Sequence, residues 1–148
     1  MKLSFRLDEA AAGGPMLGWP ADDDPVVLVA DDDEDVRELM TFKLERAGFR
    51  VLAADNGATA LDMVRTSRPD AVILDIDMPG LDGLTVCHQL RSSAATTGIP
   101  VLMVSGRGRE LDVDFGFHVG AGDYVVKPFK PDDLLRRLRL LLLGGRLP

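Results

Sequence analysis

The sequence is poor in the residues that build disulfide frameworks and zinc sites. Its 148 residues include one cysteine and two histidines. A single cysteine cannot form an internal disulfide, and His88 and His118 lack the spacing of metal ligands. Cys87 is therefore expected to be a small core residue, and both histidines are expected at or near the surface.

Long apolar runs and an excess of positive charge are absent as well. No stretch is long enough to cross a bilayer, and the first residues lack the basic-then-apolar pattern of a signal peptide. The formal net charge is −7, and an acidic surface repels the phosphates of nucleic acids. The sequence thus predicts a cytoplasmic protein without a membrane segment and without direct nucleic-acid binding.

The chain does have the length and apolar content of one folded domain. Residues 1–25 differ from the rest, because glycine and proline punctuate them and three aspartates lie near their end. We expect residues 1–25 to be a flexible leader, with Met16 as an alternative start. The domain is predicted to span residues 26–143, and residues 144–148 are expected to be a tail or the start of a linker.

Strand and helix signals alternate five times along the domain. Short apolar runs predict strands, and apolar residues at helical spacing predict the helices between them. The predicted strands are residues 26–30, 51–54, 71–74, 101–104 and 124–127, and the predicted helices lie around residues 36–47, 57–68, 84–90, 108–119 and 131–143. Strict alternation predicts an α/β fold, in which helices cover both faces of a doubly wound parallel sheet.

The apolar character of each strand predicts its place in the sheet. Strands buried on both faces read as continuous apolar runs, as the first, third and fourth predicted strands do. Arg50 precedes the second strand and Lys127 ends the fifth, so these two suit the edges. Among doubly wound folds, the flavodoxin-like order 2-1-3-4-5 fits this division.

Acidic, hydroxyl and basic side chains follow the predicted strands. They are Asp31, Asp32 and Asp33 after the first strand, Asp75 after the third, Ser105 after the fourth and Lys127 at the end of the fifth. Ligands of open parallel sheets bind outside the carboxyl ends of the strands, so these side chains are expected to converge. Crowded carboxylates are costly without a cation, and Mg²⁺ suits such a set. The arrangement favours attack by Asp75 on a phosphorus centre.

Four stretches of the chain, in this order and at these spacings, resemble the receiver domain of bacterial response regulators. They are VVLVADDDEDVREL, AVILDIDMPGLDG, VLMVSGRG and GAGDYVVKPF. The resemblance covers about residues 26–143. It implies a phosphoacceptor of a two-component system, which takes its phosphoryl group from a sensor histidine kinase or a phosphotransfer protein. Such a domain catalyses its own phosphorylation and dephosphorylation and is not expected to be an ordinary turnover enzyme.

The resemblance gives the acidic residues their roles. It implies that Asp75 is the phosphorylation site, and that Asp31, Asp32 and Asp75 bind Mg²⁺ together with the backbone carbonyl of Asp77. The predicted first strand ends at residue 30, which places Asp31 and Asp32 at its tip. Asp33 would then begin the helix, where a carboxylate caps free amide groups.

The resemblance also implies a switch. Lys127 and Ser105 would contact the phosphoryl group, and the peptide bond before Pro128 is expected to be cis. Ser105 would move toward the phosphoryl group and vacate space for Tyr124. The surface of the fourth helix, fifth strand and fifth helix would then change, and a downstream protein or effector domain would bind it.

Two charged residues could flank the mouth of the pocket. Asp77 lies two residues after Asp75, and Arg107 lies two residues after Ser105. We predict that Asp77 and Arg107 face each other and restrict the water that hydrolyses the acyl phosphate. Arg107→Ala should then change the dephosphorylation rate.

The predicted last helix is rich in leucine, and most of its leucines share one face. That expected core face comprises Leu134, Leu135, Leu138, Leu141 and Leu142. Leu140 and Leu143 point nearer the opposite side, where they are either a partner surface or scattered exposed residues.

A homodimer through the surface of the fourth helix, fifth strand and fifth helix is an open alternative. Receivers attached to winged-helix DNA-binding domains often pair through charges there, and part of that pattern is matched by Arg109, Asp123, Asp133 and Arg137. Val113 and Gly122 stand where that subfamily usually has charged residues, which argues against the pairing.

Three other functions compete with the main one. A haloacid-dehalogenase-like phosphatase also has an Asp-x-Asp motif, matched by Asp75 and Asp77, but on its first strand and in a longer chain. A receiver that only docks would need a loss at Asp75, Lys127 or the acidic pair, and none is lost. The chain could also be the receiver part of a longer regulator with an effector domain.

Overall fold

A computed structural model of the chain describes residues 23–106 and 110–144. Most of the predicted leader, together with Arg107, Arg109 and the last four residues, lies outside this part. No helix within the described ranges is long and apolar enough to cross a membrane.

Five strands alternate with five helices, as the sequence predicts. They are β1 (Val26–Ala30), α1 (Glu34–Arg46), β2 (Arg50–Ala54), α2 (Gly57–Ser67), β3 (Ala71–Asp75), α3 (Gly83–Arg91), β4 (Val101–Ser105), α4 (Glu110–His118), β5 (Asp123–Val126) and α5 (Pro131–Leu142). β3 and β4 each end one residue later than predicted, so Asp75 and Ser105 are the last residues of their strands. β5 begins and ends one residue earlier, which leaves Lys127 just beyond it.

The strands form one parallel sheet in the order β2-β1-β3-β4-β5, which confirms the predicted topology. β3 and β4 are buried along their whole length, whereas β2 and β5 each have exposed positions. The register places Asp75 beside Val104, and Ser105 beside Val126. The carboxyl ends of β1, β3, β4 and β5 therefore lie along one edge of the sheet, which we call the carboxyl edge.

The helices lie on both faces of the sheet and divide the buried core into two clusters. One cluster packs α2 and α3 against the sheet, and the other packs α1 and α5. Cys87 is fully buried in the first cluster, as predicted, while His88 and His118 are exposed. Leu39 of α1 is apolar but 46% exposed, because the sheet covers only Met40 and Leu44 of that helix completely.

The leucines of α5 divide largely as predicted. Leu134, Leu135, Leu138 and Leu141 are buried, and Leu143 just beyond the helix is 83% exposed. Leu140 and Leu142 are both intermediate in solvent exposure, so neither is fully in the core or fully on the surface. α5 begins with a proline, whose missing N–H costs nothing at that position.

Candidate functional site

Three carboxylates meet at the carboxyl edge of the sheet. Asp31 follows β1, Asp32 comes next, and Asp75 ends β3; one oxygen of each lies within 4.8 Å of the others. Asp31 is fully buried, Asp75 is 2% exposed, and Asp32 is exposed to solvent. Two buried acids and one solvent-facing acid thus form a cluster open on one side.

Hydrogen bonds divide the three successive aspartates between the cluster and the helix. Asp33 caps α1, since its Oδ1 accepts the N–H groups of Asp35 (2.9 Å) and Val36 (3.2 Å). Its own N–H donates to Oδ1 of Asp31 at 2.9 Å. The predicted capping role of Asp33 is confirmed, and Asp31 and Asp32 remain to face the cluster.

The backbone of Asp31 is held from two sides. Its N–H donates to the carbonyl of Ala54 at the end of β2 (3.1 Å), and its carbonyl accepts from Nη1 of Arg37 (2.8 Å). Arg37 reaches back six residues from α1 to make this bond. Sequence reasoning missed it, because an arginine on a helix surface is ordinarily read as a solvated charge.

Lys127 supplies the positive charge of the site. Its Nζ lies 3.1 Å from Oδ2 of Asp31 and 3.4 Å from Oδ2 of Asp75. Its N–H donates to the carbonyl of Ser105 (2.8 Å), and the peptide bond to Pro128 is cis, as the resemblance implies. Burial alone would lower the pKa of Lys127, but its hydrogen bonds and charge interactions with Asp31 and Asp75 raise it above the ordinary value.

The surroundings of the Asp75 carboxyl disfavour its ionised form. Burial, and secondly the charge of Asp31, raise its pKa to about 6, although Lys127 and the N–H of Asp77 (3.3 Å from Oδ1) oppose this rise. One lysine therefore does not compensate the two buried carboxylates, and the cluster favours a further cation.

The donor set fits Mg²⁺. Oδ2 of Asp31 is buried, and its polar contact among the described residues is the Lys127 ammonium, 3.1 Å away. Such an oxygen, with the oxygens of Asp32 and Asp75 close by, offers the hard ligands that Mg²⁺ takes together with water. The role of the Asp77 carbonyl as a further ligand stays a prediction.

Gly83 fixes Asp75 from the helix side. It is the first residue of α3, and a Cβ on it would collide with the backbone carbonyl of Asp75 and lie 2.8 Å from Cα of Ile76. Its N–H also donates to the carbonyl of Ile76 at 2.9 Å. Only glycine allows α3 to begin this close to β3. The motif stretch contained this glycine, but spacing alone did not reveal the contact.

Ser105 and Tyr124 occupy neighbouring strands beside the cluster. Ser105 is fully buried, and its Oγ donates to Oδ2 of Asp77 at 3.2 Å. Tyr124 is only 7% exposed, and its ring lies against Gly116 of α4, where a Cβ would come within 2.9 Å of Cδ2 and Cε2. The predicted pairing of Asp77 with Arg107 concerns a residue outside the described part, and it stays a prediction.

The charges assigned to a possible dimer surface pair within this chain. Nη1 of Arg137 lies 3.0 and 2.8 Å from the two oxygens of the buried Asp123, and its Nε lies 3.0 Å from Oδ2 of Asp133. Hydrogen bonds from Arg136, and then from Arg137, lower the pKa of Asp133. Three of the four charges in the proposed pairing pattern thus have partners inside one molecule.

Comparisons with known proteins agree on one family. A family model described as the response regulator receiver domain matches residues 27–139. Over 116 residues, the chain is 42% identical to the DNA-binding response regulator MtrA of Mycolicibacterium smegmatis and 39% identical to the regulatory protein PhoP of Bacillus subtilis. Each alignment covers 78% of this chain, but 50% of MtrA and 48% of PhoP, so the chain spans about half the length of these relatives.

Solved structures give the same result. The receiver domain of Francisella response regulator 1452 is 32% identical with a TM-score of 0.77, covering 81% of this chain and 98% of that one. The chemotaxis response regulator CheY4 of Vibrio cholerae is 31% identical with a TM-score of 0.74, and the match covers 78% of this chain and 96% of CheY4. The expectation of no nucleic-acid binding finds no support, because MtrA is named as DNA-binding.

Proposed function

This chain belongs to the response regulator receiver domain family, and we propose that it accepts a phosphoryl group on Asp75 from a phosphohistidine. The donor would be a sensor histidine kinase or a phosphotransfer protein in the cytoplasm. The observation that carries the proposal is the buried meeting of the Asp75 carboxylate, the Asp31 carboxylate and the Lys127 ammonium. The dehalogenase-like alternative has no comparable support, since Asp75 ends the third strand of a receiver fold.

The chemistry follows from this cluster. A carboxylate oxygen of Asp75 attacks the phosphorus, and the bond from phosphorus to the imidazole nitrogen of the donor breaks. Lys127 lies close enough to place its charge beside the incoming phosphoryl oxygens. Asp31, Asp32, Asp75 and the Asp77 carbonyl would hold Mg²⁺, which supplies further positive charge to those oxygens.

The N–H of Asp77 supports the geometry of attack. It donates to Oδ1 of Asp75 and thereby fixes the orientation of the nucleophilic carboxylate. Burial also keeps Asp75 poorly solvated, so less water must leave before reaction. Near pH 6 the Asp75 carboxyl is protonated in a fraction of the molecules, and a protonated carboxyl is a poor nucleophile. The reaction should therefore slow below that pH unless a bound cation lowers the pKa.

Intact-mass measurement after incubation with acetyl phosphate tests the proposal. We expect the gain of one phosphoryl group in the presence of Mg²⁺, almost none with a chelator, and none in Asp75→Asn. Asp70→Asn is a matched control, because Asp70 precedes the same strand at its opposite end and is exposed; it should be phosphorylated like the wild type.

Two outcomes would count against the proposal. Equal phosphorylation of Asp75→Asn and the wild type would place the acceptor elsewhere. No gain in the wild type, either with acetyl phosphate or with phosphorylated kinases and phosphotransfer proteins, would leave a domain that only docks.

We also propose that the receiver regulates an effector domain in a longer protein. The supporting observation is that the chain spans about half of MtrA and PhoP, and that MtrA is named as DNA-binding. The mass of the native protein on an immunoblot tests this directly: a band well above 16.0 kDa supports it, and a band near 16.0 kDa supports a stand-alone receiver. Sedimentation before and after phosphorylation would show whether two copies pair through α4, β5 and α5.

A further inference from the structure

The hydroxyl of Ser105 has one proton to donate, and in this structure it donates a hydrogen bond to Asp77. A serine hydroxyl donates one hydrogen bond at a time. Its Oγ lies 3.2 Å from Oδ2 of Asp77, which belongs to the loop that follows β3. A phosphoryl group on Asp75 would offer acceptor oxygens in the same region, since Asp77 is bonded to Asp75 through its N–H. Asp77 and the phosphoryl group therefore compete for one donor.

The bond to Asp77 also fixes where Ser105 points. Asp77 lies on the β3 side of Ser105, whereas Tyr124 belongs to β5 on the other side. In this structure the hydroxyl is directed toward Asp77 and the ring of Tyr124 is buried at the same time. The missing side chain of Gly116 gives that ring its remaining space.

We propose that the Asp77 carboxylate acts as a built-in substitute for a phosphoryl oxygen. It holds Ser105 toward the end of β3 and thereby keeps Tyr124 buried before Asp75 is phosphorylated. This inference rests on the proposed function, because it concerns the switch of that same site. Its consequence is a receiver whose β5 surface is partly set in advance, so that phosphorylation changes it less than a switch starting from an exposed tyrosine.

Tyr124 is the single tyrosine of the chain and therefore a clean probe. With 3-fluorotyrosine incorporated, the ¹⁹F resonance and its shift between H₂O and D₂O report whether the ring is buried. The unphosphorylated wild type should show mainly a buried ring. Asp77→Ala should raise the exposed-to-buried ratio by about threefold to tenfold, the effect of losing one hydrogen bond. Asp77→Asn keeps an acceptor oxygen and should resemble the wild type.

Two further variants calibrate the measurement. Asp55→Ala removes an exposed carboxylate beyond β2 without touching Ser105 and should leave the resonance unchanged. Gly116→Ala crowds the ring directly and should give the resonance of an exposed Tyr124, even if Asp77→Ala were poorly folded. An unchanged exposed-to-buried ratio in Asp77→Ala, or an exposed ring in the unphosphorylated wild type, would overturn the inference.

The same samples separate this inference from the proposed function. Acetyl phosphate and Mg²⁺ should return the ring to its buried position in Asp77→Ala, because the phosphoryl oxygens replace the lost acceptor, and intact mass shows whether Asp75 was modified. A mass gain without any response of the ring to Asp77→Ala refutes the inference alone. Redistribution of the ring by Asp77→Ala, with no mass gain in any variant or with any donor, refutes the proposed function alone.

Discussion

Charged side chains lie at both ends of the parallel strands, but they do different things there. At the amino ends they bond to the backbone, and at the carboxyl ends they crowd against one another. At the amino edge, where the strands begin, Arg91 donates to the carbonyls of Gly120 (3.0 and 2.8 Å), Thr97 (3.0 Å) and Ile99 (2.8 Å). There too, Oδ2 of Asp70 accepts the N–H of Val26 at 2.7 Å. At the carboxyl edge, two buried carboxylates share one lysine.

The difference shows which edge is built for stability and which for chemistry. Arg91 satisfies loop carbonyls that would otherwise need water, and its planar fork suits that task. The two buried acids at the carboxyl edge share the charge of one lysine, and burial, followed by the charge of Asp31, raises the pKa of Asp75. Strained ionisable groups of this kind are typical of functional sites.

The largest effect on stability is expected from Arg91→Ala at the amino edge. The change removes four hydrogen bonds that join α3 to the loops before β4 and β5, and we expect unfolding to become easier by about 2–4 kcal/mol. Urea denaturation measures this loss. Arg91→Lys should recover only part of it, because an ammonium cannot reach the same carbonyls. The folded fraction should still be phosphorylated; a loss of phosphorylation beyond the loss of folding would mean that the two edges are coupled.

Asp75→Asn at the carboxyl edge is expected to raise the free energy of unfolding, whereas Arg91→Ala lowers it. The folded-state pKa of Asp75 is about 6, above its ordinary value of 3.8. The penalty for ionising it in the folded protein is therefore absent below about pH 4 and grows as the pH rises through 6. At pH 7.5 without divalent cations, Asp75→Asn should be more stable than the wild type by about 1–3 kcal/mol.

Urea denaturation between pH 4 and pH 8 tests this dependence. The advantage of Asp75→Asn should shrink toward pH 4, and Mg²⁺ should stabilise the wild type more than the variant at pH 7.5. A constant difference between the two proteins at all pH values would mean that Asp75 is not strained as described.

The smallest change in stability is expected from substitutions at Asp33, which test whether Asp33 caps α1 while Asp31 and Asp32 face the cation site. Asp33→Ala removes the cap of α1 and should destabilise the protein by about 1 kcal/mol, while Asp33→Ser should restore most of that loss. Asp33→Asn should leave Mg²⁺ affinity unchanged, whereas Asp32→Asn should weaken it, as isothermal titration would measure. Equal weakening by both changes would move Asp33 into the cation site.

Much of this comparison could be predicted from the sequence, because it depends on local patterns. Continuous apolar runs gave the central strands, and the rule that parallel strands end together placed Asp31, Asp75 and Lys127 at one edge. The capping role of Asp33 followed from where β1 stops. These predictions needed only periodicity, strand direction and the chemistry of crowded carboxylates.

The remaining contacts depend on tertiary distances that no local pattern contains. Arg37 bonds to Asp31 only because α1 starts at a particular angle to β1, and Arg91 reaches Gly120 across 29 residues of sequence. The hydrogen bond from Ser105 to Asp77 joins the end of β4 to the loop after β3, and the whole sheet sets how closely these two approach. The 46% exposure of Leu39 has a related cause, since helical spacing gives a face but not how far the sheet extends beneath it.

The close approach of Gly83 to Asp75 has a consequence for mutational scanning. Alanine substitution is usually a truncation, but at residue 83 it is an enlargement that pushes α3 away from the backbone of Asp75. A scan would score this position among the most sensitive in the protein, although it contributes no functional group. Sensitivity at residue 83 should therefore be interpreted as a limit on spacing, and a library that varies the β3–α3 loop should keep this glycine fixed.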